Sequence, residues 1–439
     1  MGFLFRPASA GRSNENEDWS SAMTKLNKDP SLTHEQKLDR LGEVAVRVGL
    51  GLQPGQELVM TASLDALPLV RRITEHAYKA GASLVTTLFS DEEATLMRYR
   101  HAPDGSFDVA SGWLYDGMAS AFRNGAARLA IAGENPSLLA GQDPDKVSRA
   151  NRARSKAYMP ALELIAGFDI NWTIASFASP AWARAVFPNE TEEVAVAKLW
   201  DAIFAASRVD LVDPVAAWGE HNKALHARTR LLNDKRYSAL RFVGPGTDLT
   251  VGLADDHEWE GGASTAKNGI VCNPNIPSEE VFTTPHKNRV SGHVTSTKPL
   301  SYQGTLIEDI SVRFEEGRIV DATARKGSDV LSKVLDTDEG ARRLGEVALV
   351  PDSSPISASG LLFYNTLFDE NAACHIALGQ AYAKCIRGGD TMSQEDLAAR
   401  GANKSLIHID WMIGSRHIDI DGIGQDGKVE PIMRQGEWA

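Results

Sequence analysis

Glu57-Leu58-Val59-Met60-Thr61-Ala62, then Leu64 to Lys79, then Ser83-Leu84-Val85-Thr86-Thr87-Leu88-Phe89 decide the architecture of the N-terminal half. The first and last runs are short and apolar, as buried strands are, and the stretch between them has helix length and stops at Gly81. Strand, helix, strand in this order predicts a βαβ unit, because parallel neighbours need a crossover of this size. Upstream, Leu38, Leu41, Val44, Ala45 and Val48 repeat at helical spacing between Thr33 and Leu50. Downstream, helix candidates at Ser111 to Gly125 and Lys146 to Leu164 alternate with strand candidates at Ala127 to Ala132 and Asn171 to Phe177. This alternation predicts a doubly wound sheet. Gly51, Pro54 and Gly55 come before the first strand, and no G-x-G-x-x-G follows it, so a nucleotide site is not indicated.

After two further helical stretches, Glu192 to Ala206 and Pro214 to Leu232, the texture changes to short alternating segments broken by Gly, Asn and Pro. The boundary falls near residues 225–240. Ser238 to Val243 and Asp248 to Gly252 flank Gly244-Pro245-Gly246, and Ile310 to Phe314 and Arg318 to Ala322 flank Glu315-Glu316-Gly317; both read as hairpins. The expectation is an α/β chain: an N-terminal doubly wound α/β domain over 23–230, a C-terminal α+β catalytic domain over 231–439, and a disordered tail over 1–22.

Of the 439 residues, 43% are hydrophobic and 24% charged, enough for a large core. The formal charge is -12 with Lys and Arg dispersed, which argues against a nucleic-acid partner. No apolar run approaches the roughly 20 residues of a membrane span. Three cysteines, Cys272, Cys374 and Cys385, form no C-x-x-C and no even framework, so a reducing cytoplasm is expected.

Four segments can carry chemistry. Glu279 and Glu280 lie between Pro277 and Pro285; in an extended chain they point to opposite sides, so one of them can face a site, unless both are solvated on an edge strand. Glu346 stands in the apolar run Leu344 to Pro351, where an unpaired carboxylate is costly and wants a cation. Alternatively it ends a helix and pairs with Arg342 or Arg343. Glu370, His375 and Tyr382 share a frame of small and apolar residues; a helix over Asn371 to Tyr382 would put His375 and Tyr382 on one face with Glu370 at its start. In a strand-like run from Ser405 to Gly414, His408 and Asp410 project to one side, as a metal seat or as a buried His-carboxylate pair. The second His-Ile-Asp, His417 to Asp419, precedes a turn signal and reads as a decoy or an outer-sphere pair. Together these segments offer four carboxylates and two imidazoles, the donors that divalent ions take.

Asn275-Ile276-Pro277-Ser278-Glu279-Glu280-Val281-Phe282-Thr283-Thr284-Pro285, Gly345-Glu346-Val347-Ala348-Leu349-Val350-Pro351, Glu370-Asn371 with His375 and Tyr382, and His408-Ile409-Asp410-Trp411-Met412-Ile413-Gly414 resemble the leucyl aminopeptidase T-type metallopeptidase family, which includes aminopeptidases S and PepS. The resemblance spans roughly Leu26 to the C-terminus. It implies metal ligation by Glu280, Glu346, Glu370, His375, His408 and Asp410, with Tyr382 lining the site. It further implies a two-domain protomer, a homodimer, and removal of N-terminal residues from peptides with a free N-terminus, using zinc, cobalt, manganese or magnesium. The expected mechanism is attack by a metal-activated water at a dinuclear site with Glu346 as the bridge and Tyr382 donating to the oxyanion. Two other readings remain at this point: a mononuclear iron ring-cleaving dioxygenase on a related fold, and a non-catalytic peptide-binding protein.

Overall fold

A computed structural model of the protein describes residues 28–302 and 305–439. The tail expected over 1–22 lies outside them. Strands Glu57–Ser63, Leu84–Ser90, Ala127–Ala132 and Trp172–Ser176 form a parallel sheet in the order second, first, third, fourth. Alternation along the first strand explains the double winding. Leu58, Met60 and Ala62 face a core shared with Leu69, Ile73 and Ala77 of the helix Leu67–Lys79, whereas Val59 faces Met118, Phe122 and Ile165 of the helices Gly112–Arg123 and Pro144–Ala166. Each of the larger of these side chains, Leu, Ile, Val, Met or Phe, contributes roughly 1.5–3 kcal/mol when removed from water. The predicted helix over 33–50 exists, capped by a reciprocal Thr33–Gln36 box, but its last six residues widen into a π-turn that ends at Gly51 with φ +56°.

In the C-terminal half both predicted hairpins are present, as Ala239–Gly244 with Thr247–Leu253 and Ser311–Glu315 with Arg318–Thr323. They belong to an eight-stranded antiparallel sheet. A second, four-stranded antiparallel sheet runs in the order His408–Met412, His375–Gly379, Leu344–Leu349, Val281–Thr283. Its two faces differ. Val347, Leu349, Ile376, Leu378, Ile409 and Trp411 pack into a core with Phe242, Leu249 and Val251 of the large sheet. The alternate residues, Glu346, His375, Ala377, His408 and Asp410, point the other way.

Two segments tie this small sheet to the N-terminal half. Ile174 donates its N–H to the Pro274 carbonyl at 2.8 Å and accepts from the Ile276 N–H at 2.9 Å, so residues 274–276 extend the parallel sheet before Val281–Thr283 joins the antiparallel one. Phe363, Leu367 and Phe368 insert into the N-terminal core, where Trp182 packs edge-on against Phe368 and donates to the Phe363 carbonyl at 2.5 Å. Among the described residues no helix is long and apolar enough to cross a membrane.

Candidate metal centre

The helix considered over Asn371 to Tyr382 does not form. Glu370–Ala372 is a single 3₁₀ turn, His375–Gly379 is a fully buried strand, and Tyr382 precedes another 3₁₀ turn. The Ala-rich frame has high helix propensity, but two flanking strands claim its backbone hydrogen bonds, and tertiary pairing outweighs a few tenths of a kcal/mol per residue. His375 and Tyr382 therefore reach the site from a strand and from the loop after it.

Register places the donors. Glu346 pairs with Ala377, and Ala377 with Asp410, so two carboxylates flank one methyl group across three adjacent strands. Ala377 leaves room where a larger side chain would fill the face. His375 lies two residues along the same strand, and His408 two residues from Asp410. A bulge after Leu344 shifts the register, and without it Glu346 would turn toward the core. Gly345 permits this bulge: a Cβ there would stand 2.3 Å from the Gln380 carbonyl oxygen. Glu346 forms no bond to either neighbouring arginine. Arg342 pairs with Asp336, and Arg343 binds the Lys287 carbonyl and the Asn288 side chain.

Donor atoms of Glu280, Glu346 and His375 lie within 4.8 Å of one another, as do those of Glu346, His408 and Asp410. Glu346 belongs to both groups. Its Oε1 is 3.6 Å from His375 Nε2 and its Oε2 is 3.5 Å from His408 Nε2. Glu280 Oε2 stands 3.1 Å from His375 Nε2, and Asp410 Oδ1 stands 3.4 Å from His408 Nε2. These two oxygens are buried, and neither is aligned for a hydrogen bond. Each imidazole is oriented from behind: Nδ1 of His375 donates to the Ala373 carbonyl at 3.1 Å, and Nδ1 of His408 to the Gln380 carbonyl at 2.8 Å. With Nδ1 so engaged, each Nε2 is the atom that faces the carboxylate oxygens, and on losing its proton it offers a lone pair to a cation.

Glu370 is in neither group, yet burial and the charges of Glu280 and Asp410 hold its carboxyl well above the usual range. Burial likewise raises Glu346. Burial pushes both histidines down, and the carboxylates more than reverse this: His375 ends well above its ordinary value and His408 at about 10. Burial pushes Asp410 up, but His408 and His375 outweigh it and hold it low. Among the described residues no Lys or Arg pairs with any of these acids, so in the metal-free protein only the two histidines meet their charge, and the donor set of carboxylate oxygen and imidazole nitrogen fits divalent ions.

Tyr382 lies against His408, with ring centroids 4.8 Å apart, and meets Phe282 edge-on at 6.0 Å. It is 39% exposed, and being set among protein atoms and near Glu346 and Asp410 raises its phenol well above 10, so the hydroxyl keeps its proton. The decoy reading of the second His-Ile-Asp is consistent with the contacts: His417 is exposed, Asp419 accepts from the Gln435 N–H, and Asp421 pairs with Arg434.

Sequence reasoning singled out Glu279 and Glu280 as pointing apart, and they do. It missed what holds Glu279. Arg208, after the helix Glu192–Ala206, donates to Glu279 Oε2 at 2.9 Å and stands 2.7 Å from Oε1 as an ion pair, and His221 on the helix Pro214–Lys235 lies 2.7 Å from the Ser278 carbonyl. Asn371, beside Glu370, accepts the Glu279 N–H at 2.6 Å. No local pattern marks Arg208, whereas Asn371 sits inside a segment already set apart.

A family model described as thermophilic metalloprotease (M29) matches residues 34–438. Aminopeptidase T of Thermus thermophilus is 54% identical over 404 residues, covering 92% of this chain and 98% of the relative. Aminopeptidase 2 of Geobacillus stearothermophilus is 47% identical with the same coverage. The solved structure of wild-type AmpT from Thermus thermophilus superposes with a TM-score of 0.88 at 53% identity, covering 93% of this chain and 100% of that one. With the metal-fitting donor set and a family match over nearly the whole described fold, this chain belongs to the thermophilic metalloprotease (M29) family.

Proposed function

We propose that the protein is a metal-dependent aminopeptidase that removes N-terminal residues from peptides at a dinuclear site, with Glu346 shared between the two ions. The single observation that carries the dinuclear reading is that the two oxygens of Glu346 face two different groups of donors. Glu280 and His375 complete one seat, His408 and Asp410 the other. The relatives named aminopeptidase support the reaction class. Bound there, divalent ions, zinc first among those suited to nitrogen and oxygen donors, would supply Lewis acidity and lower the pKa of a water toward about 7.

The chain's own residues hold the ions and handle the substrate. Glu370, outside both groups but buried beside Glu280 and Asp410, is the sixth proposed metal ligand, its carboxyl raised by burial and by their charges. Tyr382, protonated and pointing into the site from the loop after the strand, donates to the oxyanion of the tetrahedral intermediate. The buried negative charge attracts the substrate's free ammonium and so favours cleavage from the amino end. Neither iron-dependent ring cleavage nor peptide binding without turnover draws support from the relatives or the donor set.

A two-domain division near residue 230 is supported by the separate cores of the parallel sheet and of the antiparallel sheets, although Phe363, Leu367 and Phe368 cross between them. Three buried, unpaired cysteines support a cytoplasmic location. The homodimer is part of the same proposal, tested by light scattering. To test the function, the chelated protein is restored with zinc, cobalt or manganese and assayed on free and N-acetylated peptides. Metal-dependent release of the first residue from free peptides alone is expected, with loss in Glu346→Gln; turnover in fully chelated protein refutes it. Tyr382→Phe is expected to lose about 10²–10³ in kcat at unchanged metal content.

A further inference from the structure

Arg208 occupies a backbone conformation that arginine does not favour. It follows the C-terminus of the helix Glu192–Ala206 with φ +60°, the left-handed position where helices usually place glycine. Strain of this kind persists where the side chain is held to a purpose by its surroundings. Here the guanidinium is buried, at 3% exposure, stacked 5.0 Å from the Trp218 ring, and forked onto both oxygens of the equally buried Glu279. Trp218 is itself anchored by an indole N–H bond to the Ser207 carbonyl at 2.9 Å. His221 completes the clamp: its Nδ1 accepts from Arg208 Nη2 at 3.1 Å, and its Nε2 donates to the Ser278 carbonyl at 2.7 Å. Asn371 holds the Glu279 N–H from the other side.

We propose that Arg208 is a positioning residue for one metal seat: by clamping Glu279 it aims the next carboxylate, Glu280, at His375 and Glu346, so that the N-terminal half sets the affinity of that seat alone. The physical argument is alternation. In extended backbone neighbouring side chains point to opposite sides, so fixing Glu279 on one side fixes the direction of Glu280 on the other. Among the described residues nothing comparable reaches the second seat, whose ligands His408 and Asp410 lie on one strand of the small sheet and are oriented by the Gln380 carbonyl and by strand pairing. Outer partners that orient a ligand typically change metal affinity 10–100-fold.

This rests on the two-ion reading, and the test separates the two. Full-length, chelated protein is titrated with zinc by calorimetry, and cobalt uptake is followed by visible absorption. Arg208→Lys keeps the charge but loses the fork; Arg208→Met with Glu279→Met replaces the pair by apolar side chains and guards against misfolding from a lone buried charge. Glu280→Gln and Asp410→Asn identify which ion belongs to which seat. The expected result is one ion weakened about 10–100-fold in the double variant, less in Arg208→Lys, matching the ion lost in Glu280→Gln, with the other ion and its cobalt spectrum unchanged. Equal weakening of both ions, or of neither, overturns the proposal. A wild type that takes up a single ion refutes the two-ion reading instead; the role of Arg208 then stands if the double variant weakens that ion as Glu280→Gln does, and falls if it does not.

Discussion

Glu279 and Glu280 are adjacent, chemically identical and both buried, and they sit in opposite electrostatic situations. Glu279 belongs to a cluster that carries its own cation: one guanidinium, hydrogen-bonded to Oε2 and 2.7 Å from Oε1, with a neutral imidazole alongside. Glu280 belongs to a cluster of four acids and two imidazoles with no Lys or Arg partner among the described residues. A buried carboxylate is tolerable when its charge is matched and its lone pairs are used. The first cluster supplies its own cation, whereas the second is built to take one from outside. That difference, more than the presence of acids and histidines, separates a structural ion pair from a metal site.

Three measurements sharpen or break this contrast, beginning with the largest expected effect. Arg208→Met strands a buried Glu279 and should lower unfolding stability by about 3–5 kcal/mol in urea titrations. A loss under about 1 kcal/mol would mean the first cluster is not matched as described.

The second measurement compares the pH dependence of the two clusters, which should have opposite signs. Burial holds His221 at about 4, below its ordinary 6.5, so between these values the unfolded chain binds more protons. Stability from this group is present above pH 6.5 and is lost as pH falls toward 4, on the order of 3 kcal/mol. In metal-free protein His408 is raised to about 10, so the native state holds more protons than the unfolded chain, and its contribution is lost as pH rises from 6.5 through 10. Asp410, held low, adds a loss on the acid side. Urea midpoints at pH 5, 7 and 9, with and without zinc, read both trends: zinc should abolish the alkaline loss and leave the His221 acid loss in place. An alkaline loss that persists with zinc bound would break the comparison.

The smallest effect is the most pointed. In chelated protein Glu280→Gln relieves repulsion with Glu370 but also removes the carboxylate 3.1 Å from His375, so stability should change by less than about 1 kcal/mol, while Glu279→Gln, which unpairs the buried Arg208, lowers it by more. Chemical denaturation of the two metal-free variants side by side gives the comparison, and equal losses would show that the clusters do not differ in charge balance.

Much of the fold was legible because its periodicities are strong. The strand Glu57–Ser63, the helix Glu192–Ala206 and both hairpins occur where pattern and turn residues place them. Glu346 was legible as anomalous because a carboxylate in the run Leu344–Leu349 has no cheap apolar explanation. The stretch from Asn371 to Tyr382 misled for a physical reason: alanines at 372, 373, 377 and 381 favour helix locally, and here pairing with strands on both sides decides. Arg208 was illegible, because nothing around it in the chain announces a partner 71 residues away.

By itself the sequence determined which segments alternate, where they turn, and which residue types are available as donors, since these follow from local periodicity and side-chain chemistry. Only the tertiary structure decided that a bulge at Gly345 turns Glu346 outward, that Ala377 leaves space between two carboxylates, and that Arg208 faces Glu279 and not Glu280. Those outcomes depend on register and on packing between segments far apart in the chain. A one-residue change in register would send every one of these side chains to the opposite face without altering the local pattern that predicts the strand.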